Sequence, residues 1–452
     1  MAVYLKKFST YAEYEAYIAS EDKVLPNVSI CEDTKNVQYN PYVPPHDYSQ
    51  DYFTMVVTAD GDIKWSGTTT ANTLSYSKDG GKNWTAVTSA DTISVVEGDK
   101  ILWKGTPQSG SIGKFSGATD VRYSIEGNVM SLLFGDNFRG QTSLEGKDYA
   151  LYGLFSNNKN VTSAENLSLP ATTLANACYR SMFQGCTSLT TAPQLPATTL
   201  ANECYNSMFY GCTSLTTAPE LPATTLTQSC YYAMFYGCTS LTAAPVLSAT
   251  TLANYCYYSM FYECSGLTTA PELPATTMKD GCYAQMFYGC TSLTTAPELP
   301  ATILATSCYQ YMFNGCTNLT TAPELPATTL ANNCYNSMFK GCTSLTAAPK
   351  LQATTLATYC YSNMFQKCRS LTTAPELPAT TLTQSCYYFM FFGCTKLNSI
   401  KCLATDISAS NCTSNWVNGV AANGTFTKAA SMESWTTGDN GIKRGWTVVD
   451  AA

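Results

Sequence analysis

The amino-acid sequence predicts an α+β repeat solenoid preceded by a β-sandwich domain and an N-terminal anchor segment. A cysteine recurs every 26 residues over the C-terminal two-thirds of the chain, apolar residues within each unit have helical spacing, and residues 51–135 alternate as strands do. We divide the 452 residues into an anchor segment (1–50), a β-sandwich spacer domain (51–135), a degenerate capping repeat (136–170), nine repeats (171–396), and a degenerate repeat with a C-terminal cap (397–452).

The repeat is most visible in its cysteines. One series runs from Cys178 to Cys386 in steps of 26, and a second runs from Cys186 to Cys394 in the same steps. Each unit reads approximately LPATTLANNCYNSMFYGCTSLTTAPE. One unit cannot bury a core alone, so equivalent side chains of successive units should stack into continuous apolar ladders. The degenerate copies at 151–170 and 397–420 should cap the two ends of these ladders.

Each unit contains a segment that predicts one helix of about three turns. In the first unit, the apolar residues lie four positions apart: Leu174, Cys178, Met182 and Cys186. Thr173 precedes them as a candidate N-cap, and Gly185 follows where a left-handed residue is expected. Glu263 and Lys367 replace that glycine in two units, so their helix ends should be strained or different.

The rest of the unit predicts a narrow parallel sheet. Residues 189–192 read as a short strand, which would stack on its equivalents at about 4.8 Å. Pro193 recurs in the following units, and proline cannot donate to a ladder, so the sheet should be roughly three to four residues wide.

The cysteines admit three interpretations. Free cysteine packs as a small hydrophobe, so a ladder of buried thiols is favoured. Cys178 and Cys186 would lie two helical turns apart, too far to bridge, whereas disulfides between neighbouring units stay open. The chain has no CxxC pair and its single histidine, His46, precedes the array, so we expect no metal site and no cofactor.

The N-terminal third contains two segments, for which the sequence predicts different structures. Residues 1–50 hold one predicted helix (11–19) and a proline-rich stretch, which we interpret as an anchor that orders against a partner; a disordered leader is the alternative. Residues 51–135 carry Asp-Gly pairs at 60–61 and 79–80 between alternating runs, which are hairpin signals. Trp65, Trp84 and Trp103 are expected in the core of this sandwich, with a sugar-binding platform as the alternative.

The signature MFxGCTSL followed by TTAPELP resembles the BspA-like leucine-rich repeats, a bacterial and phage-borne class. Phe209, Gly211, Cys212 and Leu215 carry the match in one unit. The resemblance covers about residues 150–420 and implies a leucine-rich-repeat solenoid with an adhesive or recognition role, without implying a ligand. The units are longer than the commonest form of that family, and the extra residues lie in the predicted helix.

Two further segments resemble phage proteins. LPNVSICEDTKNVQYNPYVPP is similar to N-termini of virion proteins from phages of gut Bacteroidales, and GIKRGWTVVD is similar to a terminal segment that accompanies these repeats there. The N-terminus lacks the apolar core and cleavage site of a secretory signal. We therefore expect a virion protein made in the host cytoplasm, attached to other virion proteins through residues 1–50, and assembled as a homo-oligomer.

Composition and missing motifs argue against catalysis. The net charge of −7 without a Lys/Arg cluster disfavours nucleic acid, and no apolar run of about 18 residues would insert into a membrane. A single histidine leaves no Ser-His-Asp or Cys-His arrangement. Five glutamates in one register of the repeat predict a solvated edge: Glu220, Glu272, Glu298, Glu324 and Glu376. We predict that the chain is not an enzyme.

The predicted ligand-binding surface is the outward face of the helices. Tyr, Ser and Asn dominate five positions that vary between units (176, 177, 180, 181 and 184 in the first), where drift would favour Lys and Glu; a freely drifting face is the alternative. The candidate residues are Tyr210, Tyr232, Tyr236, Tyr255, Tyr258, Tyr262, Tyr288, Tyr311, Tyr359 and Tyr388. The recurring Tyr179 predicts structural packing between units instead.

These observations together predict a phage fibre or decoration protein that displays its repeats for attachment to a host cell-surface protein or glycan. Two alternatives stay open: a passive structural virion component and a bacterial surface adhesin.

Overall fold

The computed structural model describes residues 5–8, 28–31, 36–39, 46–67, 74–107 and 110–451, and the chain divides into two units, Met1–Asp47 and Tyr48–Ala452. In the first unit, β1 (Leu5–Phe8) pairs parallel with β2 (Val28–Cys31), which pairs antiparallel with β3 (Asn36–Tyr39). The helix predicted over residues 11–19 lies outside the described residues.

The second unit begins with a β-rich domain. Its elements are a 3-10 helix (Tyr48–Gln50), β4 (Phe53–Ala59), β5 (Gly61–Ser66), β6 (Leu74–Ser77), β7 (Thr85–Ala86), β8 (Ile93–Val95), β9 (Lys100–Gly105), β10 (Lys114–Gly117), β11 (Arg122–Asn128), α1 (Ser131–Phe134), a 3-10 helix (Gly135–Asn137) and β12 (Asn166–Ser168). They form a sheet of order β12-β11-β4-β9-β6-β7 and a sheet of order β10-β5-β8.

Aromatic residues join these two sheets. The ring centroid of Phe115 on β10 lies 4.8 Å from Trp103 on β9 and 5.9 Å from Phe53 on β4. Trp65 and Trp103 are buried, as predicted. Trp84 is only half-buried, with the Lys104 ammonium 4.3 Å from its ring, so the core prediction is wrong for this residue. The β-rich architecture fits the predicted sandwich.

The degenerate capping repeat (136–170) continues the hydrogen bonding of the β-rich domain. β12 pairs parallel with β11, and the N–H of Phe115 donates to the carbonyl of Leu154 at 2.8 Å. The N–H of Ile125 donates in the same way to Ser163 at 2.9 Å. The strands of the β-rich domain therefore supply the hydrogen-bonding partners of the first repeat.

Equivalent side chains of successive repeats stack, as predicted. Buried phenylalanines from Phe155 to Phe391 form an inner phenylalanine ladder with ring centroids 5.4–5.9 Å apart. Buried tyrosines from Tyr179 to Tyr387 form an inner tyrosine ladder at 5.7–6.2 Å. The buried Trp416 contacts the last ring of each ladder and ends both.

The segment predicted to be a helix is instead a chain of tight turns. The N–H of Cys178 donates back to Ala175 at 3.3 Å, whereas that of Ala177 donates to Asn202 of the next repeat at 2.9 Å, and this alternation continues along the segment. Every fourth residue is left-handed, with φ of 50° at Ala177, 55° at Ser181 and 71° at Gly185.

The spacing of the repeats explains why the helix prediction is wrong. Packed α-helices keep their axes roughly 8–10 Å apart. The rings of Phe183 and Phe209 are only 5.6 Å apart, which leaves no room for a helix in each repeat. Tight turns fit this close spacing, because half of their N–H groups can donate to carbonyls of the neighbouring repeat.

The parallel pairing is also narrower than predicted. The repeats share single-residue bridges, such as Ser163 with Thr191 and Thr295 with Thr321, and a second line of bridges joins Thr173 to Thr199. The Leu189 N–H donates to Cys186 within its own repeat, and Pro193 has no N–H to offer, so few donors are left between them.

The array ends in a parallel sheet of three strands, β13 (Ser399–Cys402), β14 (Thr425–Lys428) and β15 (Thr447–Asp450). Trp435 stacks on Trp416 at 5.7 Å beneath it. Among the described residues, no helix combines the length and the apolar character that crossing a bilayer requires.

Candidate ligand-binding surface

Half of the predicted tyrosines converge on one groove. Tyr210, Tyr232, Tyr236, Tyr258 and Tyr262 come from three successive repeats and surround a groove of about 270 Å³. The remaining lining residues are short or uncharged: Ser207, Ala233, Ser259 and Gln285. We call this feature the tyrosine groove.

One wall of the groove is an outer tyrosine ladder of Tyr210, Tyr236, Tyr262 and Tyr288. Their ring centroids are 4.4, 4.4 and 4.3 Å apart, and neighbouring planes differ by 11° at most. Burial is the main cause that raises the pKa of Tyr236 and of Tyr262. This wall therefore carries a row of phenol hydroxyls.

The opposite wall consists of Tyr232 and Tyr258, which stack at 4.9 Å with planes 3° apart. The side-chain amide of Gln285 donates to the Tyr258 hydroxyl at 2.6 Å, and the Ser259 hydroxyl donates to the amide oxygen of Gln285 at 3.2 Å. Burial raises the pKa of both tyrosines. Tyr255, 41% exposed, lies edge-on to Tyr258 beside the groove.

The floor is made by the left-handed residues of the turn chain. Ser207, Ala233 and Ser259 have φ of 56°, 50° and 54°, and their short side chains leave space between the two tyrosine walls. Each of their N–H groups donates to a carbonyl of the next repeat at 2.8–2.9 Å. The floor therefore has no spare backbone donor at these three positions.

The structure does not bring the other predicted residues into the groove. Tyr288 extends the outer ladder by one repeat, and Tyr311 occupies the floor position one repeat after Gln285. Tyr359 lies farther along the array, and Tyr388 packs on Phe389 at 4.4 Å, toward the other end.

The predicted outward face is not uniformly exposed either. Four of its serines are at most 4% exposed: Ser259, Ser337, Ser362 and Ser385. Neighbouring repeats stack closely enough to cover short side chains, whereas longer tyrosines emerge between them. The predicted site residues did not include the other lining residues Ser207, Ala233, Ser259 and Gln285. A small residue with tyrosines at neighbouring positions, such as Ala233 after Tyr232, is a signal that the sequence offers.

The cysteines belong to the core. Every described cysteine from Cys178 onward is buried with a free thiol. Cys212 donates its S–H to the carbonyl of Phe183 in the preceding repeat at 3.0 Å, and its equivalents do the same at 2.9–3.1 Å. Burial raises the pKa of Cys178 and Cys230 to about 12, so these thiols stay protonated and unreactive.

Other surface features lie away from the tyrosine groove. The five glutamates of the shared register are all exposed, and Glu376 pairs with Lys401 at 3.2 Å. A larger cavity of about 500 Å³ lies where the β-rich domain meets the first repeats, lined in part by Lys114, Tyr152 and Ser181. Within the described part of the chain, no group of three or more His, Cys, Asp or Glu residues could hold a metal ion.

Comparison with known families concerns the repeat array. The family described as BspA type leucine-rich repeat region, with six copies, matches residues 155–285, 259–374 and 335–417, which together span more than half of the chain. The search of curated proteins gives no match.

Proposed function

This chain belongs to the BspA type leucine-rich repeat family, and we propose that it is a binding protein whose solenoid attaches it to a biological surface through the tyrosine groove. Repeats of this family suggest an adhesin or another binding role. The observation that carries the proposal is the convergence of five tyrosines from three successive repeats on one groove. Tyrosines are frequent in recognition surfaces because their rigid rings supply contact area at a low entropic cost.

We propose that the groove binds without catalysing a reaction. The groove residues offer hydroxyls and one amide, without an acid–base pair or a nucleophile beside a base. The buried thiols are protonated and face the core. No cofactor is needed for such a role.

We propose a phage virion as the setting, with the chain as a fibre or decoration protein made in the host cytoplasm. The resemblance of the segments near residues 25–45 and 441–450 to phage virion proteins supports this setting. Residues 1–50 would attach the protein to other virion proteins, and a symmetric homo-oligomer would multiply weak contacts. The family match favours a bacterial surface adhesin equally, and the same groove would serve it. Mass spectrometry of purified virions and of cell-surface fractions would decide between the two settings.

The attachment role is tested by replacing Tyr232, Tyr236, Tyr258 and Tyr262 together with serine in the full chain. We expect binding to intact gut Bacteroidales cells and to mucin-coated surfaces to fall at least tenfold, because these side chains form both walls of the groove. A control variant carries Tyr149→Ser and Tyr359→Ser outside the groove and should bind as the parent does. Unchanged attachment of the fourfold variant, with its circular dichroism spectrum preserved, would refute the proposal.

A further inference from the structure

We propose that the tyrosine groove recognises an uncharged oligosaccharide that lies along the array and contacts several repeats at once. This inference rests on the proposed function and names the ligand class of the same site. It follows from three observations: the parts of the tyrosine side chains that are accessible, the absence of charge among the groove residues, and the backbone N–H groups that are already hydrogen-bonded.

The outer tyrosine ladder offers ring edges and hydroxyls to a ligand. The inner rings of the ladder, Tyr236 and Tyr262, have a neighbouring ring on each face at 4.3–4.4 Å, so neither face can stack on a ligand. Their edges and hydroxyls recur at the spacing of the repeats. A matching ligand therefore carries hydrogen-bonding groups repeatedly along its length.

The charge of the groove disfavours polyanions. None of its lining residues in the described part of the chain is charged. Glu263, which follows Tyr262 in the chain, contributes a negative charge that helps to raise the pKa of Tyr236 and of Tyr262. Arg180, which belongs to the repeat before the first groove residue, is paired with Glu203. A sulfated glycan or a nucleic acid would find no cation in this groove to offset its charge.

The backbone of the groove disfavours an extended peptide. Peptides that add to a protein as an extra strand need unpaired N–H and C=O groups. The N–H groups of Ser207, Ala233 and Ser259 already donate to the next repeat. The remaining polar groups are mainly hydroxyls, which both donate and accept, as sugar hydroxyls do. Reciprocal hydroxyl pairing thus favours a neutral sugar chain.

The test uses the full chain on an array of printed glycans that includes neutral, sialylated and sulfated members, followed by calorimetric titration with the best neutral tetrasaccharide and with a heparin tetrasaccharide. We expect neutral glycans to bind and heparin not to bind. The variant Tyr236→Phe/Tyr262→Phe keeps both rings in the stack and removes two hydroxyls. It should weaken binding of the neutral tetrasaccharide about tenfold, since each hydroxyl contributes one modest hydrogen bond. The matched variant Tyr359→Phe should bind like the parent.

Three results would overturn the inference: binding of charged glycans alone, no binding of any neutral glycan, or equal affinity of the parent and the double phenylalanine variant. The attachment assay separates this failure from failure of the proposed function. If the fourfold serine variant loses attachment while no neutral glycan binds, the groove is a binding site for another ligand class. If attachment also persists, the groove has no binding role.

Discussion

The inner phenylalanine ladder and the outer tyrosine ladder stack in the same direction, yet they differ in extent and in burial. The inner ladder continues from Phe155 to Phe391 and is buried throughout. The outer ladder occupies four repeats, is half-buried, and has closer ring centroids, at 4.3–4.4 Å. Phe287 and Tyr288 are adjacent in the chain, so one repeat contributes to both.

This difference shows that the fold requires the inner phenylalanine in each repeat but does not require the outer tyrosine. Each repeat must fill the same volume of the core, so phenylalanine recurs at the inner position. The outer position accepts Gln184, Asn314 and Lys340 in other repeats without a change in the surrounding turns. Four consecutive tyrosines at a position that tolerates these residues are not needed for folding, which supports a role in recognition.

The largest expected effect concerns pH, because the core contains two ladders of thiols beside its rings. Burial raises the pKa of Cys178, Cys230 and Cys282 to about 12, well above the value of about 8.5 for an unfolded thiol. Between these two values the folded chain holds more protons than the unfolded chain, so the free energy of unfolding falls as pH rises. Each thiol contributes a loss of about 1.4 kcal/mol per pH unit.

The losses from all thiols of the two cysteine ladders add up, whereas the free energy of unfolding of a domain is only about 5–15 kcal/mol. We therefore expect cooperative unfolding within about one pH unit above the pKa of a thiol in the unfolded chain. Far-ultraviolet circular dichroism and the reactivity of the thiols toward Ellman's reagent should change together. A full dichroism signal at pH 11 would contradict the buried, protonated state of these ladders.

The next effect compares neighbouring residues of the two aromatic ladders. Phe287→Ala removes a ring that stacks on Phe261 at 5.8 Å and on Phe313 at 5.6 Å in a buried position. We expect this change to lower the free energy of unfolding by about 3–5 kcal/mol. Tyr288→Ala, one residue later, removes a half-buried terminal ring and should cost about 1 kcal/mol or less. Equal losses in urea denaturation would mean that the outer ladder is structural.

The sequence alone predicts the ladders but not the turns that carry them. Cys178, Met182 and Cys186 lie four residues apart, which suits an α-helix and equally suits a turn that repeats every four residues. The signal that distinguishes them is the frequent Ser, Asn or Gly at the positions of Ala177 and Ser181, which are left-handed in the structure. Such residues are poor helix formers and favour turns.

The candidate site divides in a similar way. Comparing repeats identifies the tyrosines, because Tyr232 and Tyr262 occupy positions where other repeats carry small or polar residues. Their arrangement as facing walls depends on which side chains the turns direct to the same side. An α-helix would distribute the side chains of positions 180, 181 and 184 around its axis. In the chain of turns, the residue equivalent to position 181 lies at the floor of the groove, between the residues equivalent to positions 180 and 184.

The smallest expected effect concerns the left-handed residue beside the outer ladder. Glu263 and Lys367 have φ of 55° and 64° where the other full repeats have glycine, such as Gly237 at 69°. The expected strain is therefore present, although this position belongs to a turn and does not end a helix. A side chain in this region costs roughly 1–2 kcal/mol, which glycine's greater freedom in the unfolded chain partly offsets. Glu263→Gly and Lys367→Gly should each raise the free energy of unfolding by about 0.5–1 kcal/mol.

Gly237→Ala is the matched change in the opposite direction. The nearest atom to its added methyl group is the Gly211 Cα at 3.9 Å, so the methyl fits and only the backbone is strained. We expect a loss of about 1 kcal/mol in urea denaturation. Gly289 is unsuitable for this control, because its methyl would lie 3.1 Å from the Glu263 Cγ and add a contact term. If Glu263→Gly destabilises the chain while Gly237→Ala does too, the Glu263 side chain stabilises the outer ladder by more than its backbone strain costs.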